Sequence, residues 1–251
     1  MEKTSISKIQ TIAEWIKSSN HLVVFTGAGI STGSGLPDYR GPDGVWTRRD
    51  KGLEPKPLSK PWAEFEPNPA HYAIVDLQNL GYLKFLISQN VDNLHIKSGI
   101  NPDLIAELHG NSTKLKCIQC DSRYVKSDLG WNVDAFGRGY RKSTPHPDQP
   151  MCPNCSGRLI SEIVNFGDPM PDRETTLSYD HAKNSDVFFV IGSSLVVNPA
   201  ASYPRIAKLN GAKLIIVNKG MTPLDVKADI KLDEDIMEII PKIVEIVKMT
   251  N

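Results

Sequence analysis

The sequence predicts an α/β protein built on a doubly wound, mostly parallel sheet, with a small module inserted into it. Three observations predict this. An apolar run at 21–26 feeds directly into a glycine-rich turn, Gly27-Ala-Gly-Ile-Ser-Thr-Gly33. Further apolar runs alternate with segments of helical periodicity along most of the chain, the signature of strands joined by crossover helices. The alternation stops between Lys116 and Arg158, a polar stretch that holds all four cysteines.

In chain order, Ile6, Ile9, Ala13 and Ile16 recur at helical spacing and predict an opening amphipathic helix. Residues 21–26 read as a buried strand. The proline-rich segment 42–69 has few periodic residues, so it is a long structured loop or a short helical excursion, and such loops are often functional. A helix is expected over 70–80 and a strand over 83–88. After the cysteine-bearing stretch come a strand over 159–166, a helix over 173–183 and a strand over 186–192. A helix over 200–209 and a strand over 212–218 follow. Residues 233–248 read as a closing helix with Asp233 as its cap and Pro241 kinking or dividing it. The large nucleotide-binding domain is then discontinuous, made of residues 1–45, 70–115 and 159–251. Residues 46–69 and 116–158 form the small domain.

Composition bounds the function. With 251 residues, 40% hydrophobic and 23% charged, the chain can bury a substantial core. Its 29 basic and 29 acidic residues cancel, which argues against nucleic-acid binding through bulk electrostatics. No apolar run is long enough to span a bilayer, and residues 1–12 are polar and amphipathic, unlike a signal peptide. The expectation is a cytoplasmic monomer with no membrane contact.

A strand running into Gly27-x-Gly29 suits close approach of backbone N–H groups to a pyrophosphate. The next glycine, Gly33, comes after three intervening residues where the dehydrogenase fingerprint has two. No acidic residue closes a second strand about 20 residues on to hold a ribose. Hydride transfer is therefore demoted, while nucleotide binding stays open.

Cys117-x2-Cys120 and Cys152-x2-Cys155 are two matched pairs. In a reducing compartment such pairs form two knuckles that close a tetrahedral metal site. A redox Cys-x-x-Cys or an iron centre explains two matched pairs in a loop-rich insert less well. Four thiolates leave no open position, so the expected zinc is structural.

These segments, with others in fixed order, resemble one family. Gly27-Ala-Gly-Ile-Ser31, Gly35-Leu-Pro-Asp-Tyr-Arg-Gly41, Gln89-Asn-Val-Asp-Asn-Leu-His95 and Leu108-His-Gly-Asn111 precede the cysteines. Val164-Asn-Phe-Gly-Asp168, Gly192-Ser-Ser-Leu-Val-Val-Asn-Pro199 and Ile216-Val-Asn218 follow them. In content and order these are similar to sirtuin motifs, over about residues 22–236.

The resemblance implies a large Rossmann-like domain, a small zinc domain, and a cleft between them that takes NAD and an acylated lysine. It implies backbone contacts from Ala28, Gly29 and Ile30 to the cofactor phosphates, with Thr32 nearby. Asp38, Tyr39 and Arg40 would lie in the cofactor loop, Tyr39 standing where the family usually has phenylalanine. Trp46 resembles a tryptophan of the same loop in one subgroup. Gln89, Asn90, Val91 and Asp92 would line the nicotinamide and ribose pocket, Asn90 and Asp92 acting with the base. Asn93 replaces the family's glycine, and asparagine tolerates positive φ. Gly192, Ser193, Ser194 and Asn218 would meet ribose and phosphate, and Ile236 the adenine through its backbone.

Of six histidines, only His109 sits in the Leu-His-Gly context, so the resemblance makes it the catalytic base. Imidazole suits removal of a ribose proton near neutral pH. His95 is read as structural. For the substrate, Val164, Asn165, Phe166 and Gly167 on one side, and Leu195, Val196, Val197 and Asn198 on the other, would pair with the peptide through main-chain hydrogen bonds. Asp168 replaces the usual glutamate.

The implied reaction is NAD-dependent removal of acyl groups, foremost acetyl, from protein lysines. The acyl oxygen attacks the anomeric carbon as nicotinamide leaves, His109 deprotonates a ribose hydroxyl, and water then releases lysine and O-acyl-ADP-ribose. Protein mono-ADP-ribosyl transfer and long-chain fatty-acyl removal are the alternatives, with an NAD-binding module lacking turnover third. The Tyr-x-x-Arg anchor of the desuccinylating subgroup is absent after the cofactor loop, so acidic acyl groups are not expected.

Overall fold

The computed structural model describes residues 3–249. The chain opens with α1 (Lys3–Ser18), whose Ile9, Ile12, Ala13 and Ile16 are buried at the expected spacing. Ile6 falls off that stripe and is 45% exposed, so the buried face begins a turn later than its sequence suggests. β1 (Leu22–Thr26) is buried throughout and leads into a 3-10 helix at Ala28–Ser34. The proline-rich segment combines the two readings: it is mostly irregular loop, interrupted by α2 (Val45–Asp50) and a 3-10 turn at Trp62–Glu64.

α3 (Pro69–Asn79) starts sharply because three local signals agree. The Asn68 side chain accepts from the N–H groups of Ala70 and His71, the His71 ring accepts from the Asn68 N–H, and Pro69 stands at the first helical position. β2 (Leu83–Ser88), α4 (Leu94–Ser98) and β3 (Ile105–Glu107) follow. The insert then contributes β4 (Lys114–Cys117), β5 (Arg123–Val125), α5 (Val133–Phe136) and β6 (Leu159–Ser161). The chain returns through α6 (Asp172–Asn184), β7 (Val187–Ile191), α7 (Tyr203–Leu209), β8 (Lys213–Val217), β9 (Ile230–Leu232) and α8 (Ile236–Met249).

Six strands form one parallel sheet in the order β3-β2-β1-β7-β8-β9. This is a doubly wound, Rossmann-like order, and the direction of winding reverses between β1 and β7. Side chains alternate across the sheet. Leu22 and Val24 enter the core layer that includes α1, α3 and α8, whereas Val23 and Phe25 enter the layer that includes α6 and α7. A strand buried on both faces needs apolar residues at successive positions, which is why these strands read as continuous runs.

The second sheet is antiparallel, β5-β4-β6, with its own core of Leu115, Trp131, Leu159 and the first cysteines of each pair. Three expectations need correction here. The strand expected over 159–166 stops at Ser161 and pairs with β4 in the small sheet, because the chain must turn out of that sheet to reach α6. The expected helix over 200–209 begins as a 3-10 turn, Ala200–Ser202, before α7. The closing helix is capped by Asp235, not Asp233: the Asp235 carboxylate accepts from the Met237 N–H at 2.9 Å, and Asp233 pairs with Lys231 instead. Pro241 lies inside an undivided α8, where packing of Ile239, Ile240, Ile243 and Val244 outweighs the lost hydrogen bond.

Candidate active site

The candidate site lies beyond the carboxyl ends of β1, β2 and β7, at the reversal of the sheet. Two glycine turns meet there back to back. Gly29 donates its N–H to the Gly192 carbonyl at 2.8 Å, and Gly27 donates to Ile191 at 3.2 Å. A Cβ on Gly29 would lie 2.7 Å from the Gly192 Cα. Gly192 itself has φ 64, a conformation that favours glycine, and a Cβ there would strike the Ile30 nitrogen. The turn of Ala28, Gly29 and Ile30 is therefore backbone-lined on the side facing Gly192, Ser193 and Ser194.

The end of β2 supplies the polar side chains. Gln89 donates to the Ser193 hydroxyl at 2.6 Å, tying β2 to the turn after β7. Ser31 donates its hydroxyl to Asp92 at 2.6 Å and accepts from the Asn90 amide at 3.2 Å. The other Asp92 oxygen accepts from the Leu94 N–H at 2.9 Å. Burial raises the Asp92 carboxyl above its usual range, with the Ser31 and Leu94 hydrogen bonds opposing it. The Val91 carbonyl accepts from Ser112 at 2.8 Å, on the path to the small sheet. Asn93 holds φ 67, as asparagine can, and its side-chain oxygen accepts from Asn111.

His109 is joined to this set by its Nδ1, 2.9 Å from the Gln89 carbonyl. A carbonyl only accepts, so Nδ1 carries the proton and Nε2 is left as the basic nitrogen. Burial holds the His109 pKa below the ordinary imidazole value, and the Gln89 hydrogen bond offsets part of that. The ring is therefore neutral at neutral pH, the form that can take up a proton.

Beneath the site, the Thr26 hydroxyl lies 2.9 Å from His95 Nε2 and donates to Ser88 at 3.2 Å. Here His95 packs against the buried His71 ring, their centroids 4.9 Å apart. Burial drives both imidazoles down, His95 well below the usual value and His71 to about 4. His95 is thus a neutral internal group, as its reading as structural anticipates.

Thr32, Asp38, Tyr39, Arg40 and Trp46 lie farther out. Thr32 and Asp38 line a cavity of about 480 Å3 between the glycine turn and the proline-rich segment. Asp38 accepts from the Gly41 N–H at 2.9 Å, and Arg40 forms an exposed pair with Asp50. Tyr39 stacks on Trp46 at 6.3 Å, and Trp46 meets Phe166 edge-on at 5.8 Å. Phe166 is 73% exposed.

The segments at 164–167 and 195–198 approach each other. Phe166, Val196, Val197 and Asn198 share a cavity of about 500 Å3 with Arg40, Ser194 and Met221. The Val164 N–H donates to the His109 carbonyl at 2.9 Å, linking the first segment to the backbone of His109. Both segments are irregular, not strands, and Leu195 turns its side chain into the core. Asn218 follows β8 directly, with its N–H donating to the Leu232 carbonyl, and Ile236 opens α8 with its side chain in the core.

Sequence reasoning missed Ser31 as a shared partner of Asn90 and Asp92. It stands inside a motif already singled out, but serine is common in turns, and only the meeting of the β1 and β2 ends shows its part.

The four cysteines converge in the small sheet. Cys117 and Cys155 lie 3.6 Å apart at sulfur, Cys120 and Cys152 likewise, and all four sulfurs fall within 4.8 Å of one another. Zinc–sulfur bonds of about 2.3 Å in a tetrahedron put sulfurs about 3.8 Å apart, so the quartet fits zinc and leaves no open ligand position. None of the four is in a disulfide.

A model of the Sir2 family matches residues 56–199. Over 96% of both chains the sequence is 40% identical to NAD-dependent protein deacylase 2 of Archaeoglobus fulgidus. A Sir2 variant solved with a deacetylated p53 peptide and 3'-O-acetyl-ADP-ribose is 30% identical, with TM-score 0.75 over 94% of this chain and 97% of that one. A Sir2 protein bound to a myristoylated histone peptide is 37% identical, with TM-score 0.69 over 97% and 98%. No helix among the described residues is long and apolar enough to cross a membrane.

Proposed function

Because this chain belongs to the Sir2 family and is an NAD-dependent protein-lysine deacetylase/deacylase with a structural zinc site, we propose that His109 is its catalytic base and that acetyl-lysine is its foremost substrate. The observation that carries this reading is the hydrogen bond between His109 Nδ1 and the Gln89 carbonyl. It fixes the tautomer, orients the ring beside the Gln89–Asp92 segment, and leaves Nε2 free to accept a ribose hydroxyl proton.

The Gly29 N–H is given to the Gly192 carbonyl and the Ile30 N–H to the Gly27 carbonyl, so a diphosphate would meet the turn of Ala28, Gly29 and Ile30 on its outer face, at the start of the 3-10 helix. Bound NAD supplies a ribose carbon from which nicotinamide can be displaced by the acyl oxygen. Asn90 and Asp92 offer an amide and a carboxylate, held by Ser31, to a carboxamide and ribose hydroxyls. Asp38, Tyr39, Arg40 and Trp46 would contribute to holding the cofactor from the loop side, and Thr32, Gln89, Val91, Ser193, Ser194, Asn218 and the Ile236 backbone from the sheet side. The segments at 164–167 and 195–198 hold the peptide by main-chain contacts, so varied acyl-lysine proteins are accepted by a cytoplasmic monomer. Zinc holds the small sheet and takes no part in proton transfer.

The apolar part of the open 500 Å3 cavity, Phe166, Val196, Val197 and Met221 beside the polar Arg40, Ser194 and Asn198, also suits a longer acyl chain. Mass spectrometry of acetyl-, myristoyl- and succinyl-lysine peptides with and without NAD ranks the two. The expected result is NAD-dependent deacylation with O-acyl-ADP-ribose, lost in His109→Ala and absent with succinyl-lysine. ADP-ribose appearing on protein, with every peptide left acylated, would overturn the reading in favour of a transferase.

A further inference from the structure

The chain passes between the two sheets twice, from β3 to β4 and from β6 to α6, and a carboxylate is bound at each crossing. At the first, Glu107 on β3 accepts from Lys114 on β4 at 2.8 Å and from Asn111 at 2.6 Å. At the second, Arg123 on β5 reaches two carboxylates at once. It donates both terminal nitrogens to Glu174 on α6, at 2.8 and 3.1 Å, and its Nε lies 3.1 Å from Glu162. Both carboxylates are buried, and Arg173 adds a further contact to Glu174.

We infer that Arg123 is a positioning residue for deacylation: by gripping Glu174 and Glu162 together it fixes the small sheet on the large one and so sets where His109 and the peptide segment at 164–167 stand. This rests on the deacylase reading of the site. The path from Arg123 to the chemistry is short. The Glu162 N–H donates to the Lys114 carbonyl at 3.1 Å, and its own carbonyl packs against Gly110, with no room for a Cβ there. Gly110 adjoins His109, and two residues beyond Glu162 the Val164 N–H holds the His109 carbonyl.

The electrostatics fit a clamp with one adjustable jaw. Burial is the largest influence on the Glu174 carboxyl and would raise it, but the hydrogen bonds and charge of Arg123, with a backbone N–H and Arg173, together outweigh it and lower the pKa. Glu162 differs. Its second oxygen is buried without a partner, and burial lifts its pKa to about 7, with Arg123 and Lys114 opposing and Glu107 and Glu174 adding to the rise. The fixed charge pair is therefore Arg123–Glu174, whereas Glu162 accepts one hydrogen bond from Arg123 in either protonation state.

The peptide segment at 164–167 follows closely on the small sheet's β6, whereas the glycine turns that would hold NAD belong to the large sheet. Loosening the clamp therefore penalises peptide more than NAD. Arg123→Met, Arg123→Lys and Arg123→Met with Glu174→Met should be compared with the unaltered enzyme for kcat, both KM values and zinc content. In Arg123→Met, peptide KM is expected to rise about tenfold, with NAD KM within about twofold and zinc retained. Lysine should recover part of the loss, since it pairs with one carboxylate but cannot fork across both. The double variant should be no worse than Arg123→Met. An active enzyme whose peptide KM is unchanged in Arg123→Met, or whose kcat falls only in step with lost zinc, would overturn the clamp. If Arg123→Met does not fold, an unchanged peptide KM in Arg123→Lys would do the same. An unaltered enzyme that deacylates no peptide would instead sink the reading of the site.

Discussion

At the scale of residues, what matters is which nitrogen or oxygen is left free once neighbours are served. His109 keeps Nε2, and its depressed pKa makes the neutral ring dominant already below the ordinary value of about 6.5. The acid limb of kcat/KM should accordingly rise with pH through an inflection below about 6.5. His109→Ala should lower kcat by about 100-fold or more, read as O-acyl-ADP-ribose formed per second. His71 carries a different consequence. The unfolded chain protonates it near 6.5 and the folded protein near 4, so its contribution to stability is whole above 6.5 and shrinks as pH falls between those values. By pH 5 the loss amounts to about 2 kcal/mol, and urea unfolding at pH 7 and pH 5 should show it, with the difference reduced in His71→Gln. Of these two histidines, only His109 was legible in the sequence, through its neighbours Leu108 and Gly110. His71 bears no motif, and its burial against His95 is a product of packing.

At the scale of elements, the site depends on two turns that touch. Gly29→Ala puts a methyl group against the Gly192 backbone, so the turns must part and the amides shift. Calorimetric titration should show NAD affinity falling by about tenfold or more, while the urea midpoint moves less, since the β1 and β7 strands keep their pairing. The long strands and helices could be read from the sequence because each has enough residues to show its period. β3, β5, β6 and β9 have three residues each, too few for alternation to register. β9 and β3 still matter, since they complete the two edges of the large sheet. The cap at Asp235 went unseen because Asp233 offers the same chemistry two residues earlier, and only the path of the backbone distinguishes them.

At the scale of the whole molecule, the two sheets have separate cores, and the ion pairs of Lys114 and Arg123 tie one to the other. The small sheet buries little beyond Leu115, Trp131, Leu159 and the cysteines, so its folding free energy must come largely from its metal. Chelation should abolish deacylation and raise hydrogen exchange across 114–161, while NAD binding to the large sheet survives. Cys152→Ser should reproduce this without chelator. The cysteine spacing announced the module in the sequence. The ionic contacts that seat it did not appear there, because Arg123 is 51 residues from Glu174 and no local pattern joins them. The trio of Tyr39, Trp46 and Phe166, whose Phe166 lines the 500 Å3 cavity, also bears on how the molecule could be watched. Indole emission is sensitive to stacking and to nearby charge, and Trp46 has Tyr39 on one side, Phe166 on another and Arg49 5.4 Å from its ring. The protein thus carries an optical probe at its own doorway, so arrival and departure of a ligand could be timed by fluorescence without attaching a dye.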